Sequence, residues 1–277
     1  MLILASWETA YRVIGWKLWV FPAPSHVVDS LLEMVGVHTA FGEPLHTGWP
    51  RPLPEDRAAN AARPQVEPWY GTPLVKAISY SGIRLVAGFA ISVALGGTIG
   101  LLMWRFDAVD KMLGPLFLGL QTLPSVCWVP LAVLCFGINE KGILFVLIMG
   151  SFSAIALVLR DGLQTIPPLY PRAGLMLGAR GWKLYWYVLL PASLPALAGS
   201  LRTGFSFAWR SLMGAELIFM VEKWRGLGYL LQMGREFSDI ARVVAVMIVM
   251  VVIGMLADRW VFAIVQRRVQ ARFGLGS

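Results

Sequence analysis

Charged residues are scarce in this 277-residue chain, where Asp, Glu, Lys and Arg together make up 14% of the composition. Soluble globular domains usually carry about 25% charged residues, and their apolar fraction usually stays near one half. Here apolar residues reach 57%, and the mean hydropathy is +0.65. This balance excludes an ordinary soluble enzyme and a disordered chain, and it indicates a protein that buries most of its length in a membrane.

Cysteine and histidine are almost absent, with two and three residues. Cys127 and Cys135 lie about two helical turns apart, too far for a disulfide, and we expect both to be small buried apolar side chains. His26, His38 and His46 lack the spacing of metal ligands. The sequence also has no G-x-x-x-x-G-K-[ST] phosphate loop. We therefore expect no cofactor bound by this chain.

Acidic residues are the rarer charged class, with 16 Asp and Glu against 24 Lys and Arg. The basic residues are scattered between apolar runs, which does not suit a nucleic-acid interface, so we expect no nucleic-acid partner. Membrane proteins often carry such an excess next to anionic lipid. Membrane lipid is therefore the expected surrounding of the chain.

Long apolar runs are what the sequence has in abundance. A weak first segment covers 2–21, and it lacks the basic start and cleavage site of a secretory signal. Stronger apolar segments follow at 78–104, 113–138, 143–159, 194–221 and 240–265. Because a transmembrane helix needs about 20 apolar residues, we predict an all-α integral membrane protein with about six transmembrane helices.

The chain divides into three regions by composition. Residues 1–36 are predicted to hold the first transmembrane helix and the segment after it, and 37–76 form a Pro-rich periplasmic loop. Residues 77–277 are a five-helix core that contains a polar loop at 160–191. Six spans place both termini on one side. The basic residues divide almost evenly between the two sides, but the opposite loops are longer and more acidic, which favours cytoplasmic termini.

The loop at 160–191 contains a motif with fixed spacing. Arg172-Ala173-Gly174 is followed after three residues by Gly178, and after nine more by the segment Val188 to Pro191. This pattern resembles the EAA loop of bacterial ABC importer permeases, which reads Glu-Ala-Ala, three residues, Gly, nine residues, Ile, any residue, Leu-Pro. Arg172 stands where that family has Glu, and Gly174 stands where it has the second Ala.

Further segments resemble the nitrate, sulfonate and taurine (NitT/TauT) group of these permeases, and the resemblance covers about 22–36 and 74–275. The segments are Phe21 to Ser25, Arg84 to Phe89, Leu123 to Leu131, Phe136 to Ile138, Ala208 to Arg210, Ala215 to Leu217 and Gly226 to Tyr229. The resemblance implies the type I ABC importer (MetI-like) permease fold with a cytoplasmic coupling helix. It also implies a transport subunit in the bacterial inner membrane and not an enzyme.

The resemblance also implies partners and a coupling site. A second permease subunit, usually an identical copy, would complete the pore. Two ATP-binding-cassette subunits would hold ATP and Mg²⁺, and a periplasmic or lipid-anchored binding protein would deliver the solute. Small residues let a docking helix approach a partner closely, and a proline costs little at the start of a helix. The residues assigned to coupling are Arg172, Ala173, Gly174, Gly178, Arg180, Trp182 and Pro191.

Ionisable side chains inside apolar segments are candidates for the translocation path, because their burial in lipid is costly. They are Arg84, Arg202, Arg210 and Glu216. A stripe at steps of four and three shares one face of the fifth segment, and this face either lines the path or packs against another helix. The stripe consists of Arg202, Ser206, Trp209, Met213 and Glu216.

Two prolines, Pro124 and Pro130, should bend the third segment. Gln121, Ser125 and Trp128 beside them are candidates for the path or for a gate, and kinked packing is the alternative. In the second segment, Gly96, Gly97 and Gly100 indicate close helix packing.

The charge of the fifth segment bears on the solute. Two arginines against Glu216 leave this segment positive, which suits an anionic head group such as nitrate, sulfonate, taurine or bicarbonate. An uncharged heterocycle, such as a pyrimidine or a vitamin precursor, is the alternative within the same class. Internal repeats in the sequence would favour an ATP-independent secondary transporter, and we find none. A membrane enzyme would need a cluster of His, Asp or Glu at one depth.

Overall fold

The computed structural model of the chain describes residues 6–9, 11, 22–35, 72–221, 224–264 and 269, and this part contains helices and no strand. The helices are α1 (Pro24–Met34), α2 (Pro73–Arg105), α3 (Asp107–Thr122), α4 (Val129–Phe136), α5 (Glu140–Gln164), α6 (Leu169–Met176), α7 (Leu190–Ile218), α8 (Leu227–Glu236) and α9 (Ile240–Leu256). A short turn, Trp182–Leu184, and a π-helical turn, Tyr185–Leu189, precede α7, and a second π-helical turn, Ala257–Phe262, follows α9.

Three helices in the described part of the chain are long and apolar enough to cross a membrane: α2, α5, and α9 with its π-helical end. The 29-residue helix α7 is not among them, and it contains Arg202, Arg210 and Glu216. The predicted first span at 2–21 and the Pro-rich loop at 37–76 lie almost wholly outside the described residues. An all-helical membrane protein is confirmed, while the full count of six spans stays a prediction.

The third apolar segment is broken and is not the single kinked helix that we expected over 113–138. Helix α3 ends at Thr122, a 3₁₀ turn follows at Ser125–Trp128, and the two halves meet at 103°. Pro124 lies in the break and Pro130 lies in the first turn of α4, where a missing N–H leaves no bond unmade. The pair forms one broken span or a re-entrant loop.

The two cysteines differ from the expectation. Cys127 in the 3₁₀ turn and Cys135 in α4 are both free and exposed on the surface of the chain. We expected buried side chains because the segment around them is apolar. In a membrane protein, however, an apolar surface can face lipid or another subunit, so hydrophobicity alone does not predict burial inside the chain.

The chain folds into two compact units. The first unit comprises 1–83 and 216–252, and the second comprises 84–215 and 253–277. In the first unit, helix α8 ends in a Schellman turn: Asp239 N–H donates to the Gly234 carbonyl (2.8 Å) and Ser238 N–H donates to the Arg235 carbonyl (3.1 Å). Ser238 adopts φ 57°, a position that glycine usually takes.

Helix α5 is the centre of the second unit and the most buried of the three membrane-spanning helices. It begins at a capped end, because the Asn139 side chain accepts hydrogen bonds from the N–H groups of Lys141 and Gly142. Along its length it contacts α2 through a hydroxyl pair, Ser151 and Ser92 (2.8 Å), and α3 through the rings of Phe152 and Phe117. It therefore holds the helices around it in one packed group.

Small residues allow α2 to approach α5 closely. A Cβ added to Gly100 would lie 2.7 Å from the Ala156 carbonyl oxygen, and one added to Gly96 would meet the Phe152 carbonyl. Gly97 has nothing within 4 Å of such a Cβ. The close packing expected for this cluster is therefore carried by two of its three glycines.

This difference gives a test with an internal control. Gly96→Ala or Gly100→Ala should lower stability by about 1–3 kcal/mol, because the added methyl meets α5 backbone that cannot move freely. The measurement is the thermal unfolding midpoint of the purified chain in detergent. Gly97→Ala should leave the midpoint unchanged or raise it slightly, since alanine favours helix. Equal midpoints for the three variants would contradict the close approach.

Candidate coupling loop and translocation path

Helix α6 carries the start of the spaced motif. Arg172 and Ala173 are exposed, whereas Gly174 is buried. A Cβ on Gly174 would lie 2.8 Å from side-chain atoms of Leu184 and Val188. The small size of Gly174 therefore serves packing within this chain, and the exposed Arg172 and Ala173 remain available to a partner.

Gly178 ends α6 by a second Schellman turn. Ala179 N–H donates to the Gly174 carbonyl (2.9 Å), and Gly178 N–H donates to the Leu175 carbonyl (3.1 Å). Gly178 has φ +82°, and open space surrounds the place of a Cβ. Gly178 therefore makes a turn rather than a close contact, because glycine adopts this backbone conformation readily.

The other predicted coupling residues lie around the end of this loop. Arg180 is exposed, and Pro191 is the second residue of α7. The side chain of Trp182 lies outside the described part of the structure. Exposed apolar side chains cover much of α6 and its end, namely Leu169, Tyr170, Leu175, Met176 and Leu177. The loop thus presents an apolar surface with basic residues at its edge.

A strip of exposed polar side chains runs along α7 at positions i, i+4 and i+8. Ser206 and Arg210 are exposed and Arg202 is half-exposed. The Ser206 hydroxyl donates to the Arg202 carbonyl (3.2 Å), and Arg210 Nε donates to the Ser206 carbonyl (3.1 Å). The Arg210 guanidinium lies 4.7 Å from the centre of the Phe207 ring. The predicted stripe continued from Ser206 to Trp209, whereas this exposed strip continues from Ser206 to Arg210.

Arg202 pairs with Asp258, a residue that the sequence analysis did not single out. Arg202 Nε lies 2.7 Å from Asp258 Oδ1, and Arg202 Nη2 lies 2.8 Å from Asp258 Oδ2. Asp258 belongs to the π-helical end of the last span. A search for acidic residues inside that apolar segment would have found it. Its charge balances Arg202, which weakens the argument that the fifth segment is net positive.

Trp209 contacts the same part of the last span. A Cβ on Gly254 would lie 3.0 Å from Trp209 Nε1, and the Trp209 ring stacks with the Phe205 ring at 6.5 Å. Phe205 in turn contacts Phe262, with ring centres 4.7 Å apart. The side chains on α7 from Arg202 to Trp209 therefore lie beside the C-terminal part of the last candidate span.

The remaining two members of the predicted stripe are buried within the chain. Met213 is 9% exposed and Glu216 is 1% exposed. In the first unit, the Glu216 carboxylate accepts hydrogen bonds from the Ser81 hydroxyl (2.7 and 2.9 Å) and from Gly228 N–H (3.0 Å). Ser81 Oγ also accepts from Leu227 N–H (2.9 Å). Glu216 thus holds the start of α8, where a helix N-terminus favours a negative charge.

Arg84 is also buried, with 5% of its side chain exposed. Its Nε and Nη2 each lie 2.6 Å from one carboxylate oxygen of Glu140, the first residue of α5. A bidentate pair between a buried guanidinium and the carboxylate of the first residue of a helix indicates a contact that joins α2 to α5. In this structure Arg84 therefore takes part in packing.

Three further candidates lie at the break between α3 and α4. Gln121, Ser125 and Trp128 are each partly buried. The Trp128 ring contacts the Phe145 ring edge to face, with centres 6.4 Å apart. Their part in the path stays a prediction.

These features define a class of protein: an all-helical, multi-pass membrane protein with a short helix, α6, in a loop and an exposed polar strip on α7. Residues 88–270 match the model of the family described as binding-protein-dependent transport system inner membrane component. The chain belongs to this family, which confirms the resemblance found in the sequence. It is a membrane transport component and not an enzyme.

Similar proteins agree with this assignment. A protein of Methanocaldococcus jannaschii that is provisionally named an ABC transporter permease is 32% identical over 64% of this chain and 65% of its own length. The taurine transport system permease protein of Escherichia coli K12 is 30% identical over 67% of this chain and 66% of its own length. The bicarbonate transport system permease protein of Synechococcus elongatus is 26% identical over 64% and 63%. The matched parts thus span slightly less than two thirds of these three relatives.

Proposed function

We propose that this chain is the permease subunit of an ATP-driven ABC importer and forms the translocation path for a small anionic solute. The observation that carries the proposal is the strip of Arg202, Ser206 and Arg210 on α7. Charged side chains at membrane depth are costly in lipid. An exposed strip of them therefore belongs on a water-filled path or at a contact between subunits.

Arg210, one of the two cations in this strip, supports an anionic solute. Arg210 pairs with no carboxylate in the described part of the chain, while Arg202 and Arg84 each face one. A guanidinium suits carboxylate and sulfonate groups because its N–H donors match two oxygens at once. Two of the similar proteins are named for taurine and bicarbonate transport. An uncharged heterocycle remains the alternative substrate class, and an ATP-independent secondary transporter the alternative mechanism.

The proposed assembly contains a second permease subunit, two ATP-binding-cassette subunits and a periplasmic or lipid-anchored binding protein. ATP and Mg²⁺ would bind on the ATPase subunits, and both termini of this chain would lie in the cytoplasm of a bacterial cell. Helix α6 would dock on the ATPase through its exposed apolar side chains, with Arg172 and Arg180 at the edge. Closure of the ATPase dimer would then move α6 and switch the path between two packed states.

A single substitution tests the docking surface. Met176 is 88% exposed on α6, so Met176→Asp should leave the fold intact. It should reduce co-purification of the ATPase subunit with the detergent-solubilised permease at least tenfold, because the carboxylate must lose its water in an apolar contact. ATP-dependent uptake in proteoliposomes should fall with it.

The matched control is Ile138→Asp, a change at an apolar side chain that is 67% exposed in the turn between α4 and α5. This variant should keep the ATPase subunit bound. If Met176→Asp retains the ATPase as well as Ile138→Asp does, α6 is not the docking element. If no ATPase subunit co-purifies with the unmodified chain and uptake proceeds without ATP, the importer proposal is overturned.

A further inference from the structure

The ion pair between Arg202 and Asp258 is fully formed and yet open to its surroundings. Two hydrogen bonds of 2.7 and 2.8 Å join the guanidinium and the carboxylate in a bidentate geometry. The Arg202 side chain is nevertheless 43% exposed, and that of Asp258 is 36% exposed. One side of the pair is therefore accessible to a third group.

A second pair in the same unit provides a comparison. Arg84 and Glu140 have the same bidentate geometry, but the Arg84 side chain is only 5% exposed. A guanidinium closed in by protein serves as a fixed contact between helices. The exposed guanidinium of Arg202 can exchange one oxyanion for another without unpacking its helix.

The position of Asp258 supports such an exchange. The residue lies in the π-helical turn Ala257–Phe262, and turns of this kind occur frequently at functional sites. A charged side chain within an apolar span avoids lipid. On the protein side, Phe205, Phe262 and Phe89 form a cluster with ring centres 4.7–6.2 Å apart, which fixes the helices beside the pair.

We propose that Asp258 is a built-in counter-ion, which occupies the Arg202 guanidinium in the empty path and is displaced there by the carboxylate or sulfonate group of the solute. This inference rests on the proposed transport of an anion. The aspartate keeps the guanidinium neutralised while no solute is present, and it competes with every incoming anion. It thereby sets how strongly the path holds its solute and which head groups can enter.

Anion binding to the detergent-solubilised permease tests the proposal directly, with no ATPase subunit present. The probe is methanesulfonate, titrated while the thermal unfolding midpoint is followed. Asp258→Asn removes the competing charge but keeps a side chain of the same size. The apparent Kd for methanesulfonate should fall about tenfold relative to the unmodified chain. Arg202→Gln should raise the apparent Kd at least about tenfold, because Arg210 alone then remains to bind the anion.

The control is Glu140→Gln, which removes the carboxylate of the closed pair and should leave the Kd for methanesulfonate unchanged. An unchanged or higher Kd for Asp258→Asn would overturn the inference. If Asp258→Asn does not fold, the double variant Arg202→Gln with Asp258→Asn restores a neutral hydrogen-bonding pair. Methanesulfonate binding by this double variant at the affinity of the unmodified chain would overturn the inference too. None of these outcomes bears on ATP-driven uptake, so the importer proposal is judged separately by the Met176→Asp experiment.

Discussion

Glu216→Leu is expected to prevent stable folding of the segment that joins α7 to α8. The carboxylate is 1% exposed and accepts hydrogen bonds from the Ser81 hydroxyl and Gly228 N–H. Leucine leaves both donors buried without this acceptor, at a cost of about 1–3 kcal/mol for each group. The expected result is a large fall in the thermal unfolding midpoint or a loss of purified protein, measured in detergent.

The glycines around Glu216 explain why the site tolerates little change. A Cβ on Gly226 would meet the Glu216 carboxylate, and one on Gly228 would lie 2.8 Å from the Glu216 carbonyl carbon. The segment Gly226-Leu227-Gly228 therefore fits closely around the acid. The same site determines where α8 begins, because its first N–H groups point at Ser81 and Glu216.

Two variants separate this packing role from a role in transport. Glu216→Gln keeps one carbonyl oxygen as acceptor and should destabilise the protein less than Glu216→Leu. Glu236→Gln is the control, because Glu236 is exposed at the end of α8 and, among the described residues, accepts a single long bond, from Gln232 (3.3 Å). A Glu216→Leu variant with an unchanged midpoint and impaired uptake would contradict the packing role and favour the path.

Arg210→Glu is expected to reduce uptake of an anionic solute at least tenfold without loss of assembly. The side chain is exposed, so its replacement disturbs no buried contact. The new carboxylate repels an incoming anion. The substitution also removes the guanidinium of Arg210, which pairs with no carboxylate among the described residues. The measurement is ATP-dependent uptake of labelled taurine or bicarbonate in proteoliposomes, with ATPase co-purification as the check on assembly.

The chain offers a matched control for this variant. Arg105 is also exposed, and its guanidinium lies 5.1 Å from the centre of the Phe106 ring. The Arg210 guanidinium lies at a similar distance, 4.7 Å, from the centre of the Phe207 ring. Arg105→Glu, at the end of α2, should leave uptake within about twofold of the unmodified protein, since exposed charges contribute little to stability. Equal uptake by Arg210→Glu and Arg105→Glu would remove Arg210 from the path.

The sequence predicted the helical membrane fold and the family well, because both depend on local patterns. Apolar runs long enough to span a bilayer, such as 143–159, appear in composition alone. The spacing from Arg172 to Pro191 survives two substitutions, so the motif could be recognised, while its role in coupling stays a prediction. The broken third segment was harder, because Pro124 and Pro130 predict a bend but not the 103° turn between two helices.

The path candidates show the limit of helical periodicity. The steps from Arg202 to Glu216 place five residues on one helix face, and yet Met213 and Glu216 are buried within the chain while Arg210 is exposed. A helical wheel contains no information about which neighbour covers each part of a long helix. Different partners can cover the two ends of α7, so one face does not keep one environment.

The sequence by itself determined that this protein is a helical membrane transport component with a spaced motif in one loop, because hydrophobic length and motif spacing are properties of neighbouring residues. Only the tertiary structure decided how its few charges are used. It paired Arg202 with Asp258 and Arg84 with Glu140, each 56 residues apart, and it enclosed Glu216 beside Ser81. An ion pair depends on which helices pack together and on what covers them, and neither is encoded in local spacing.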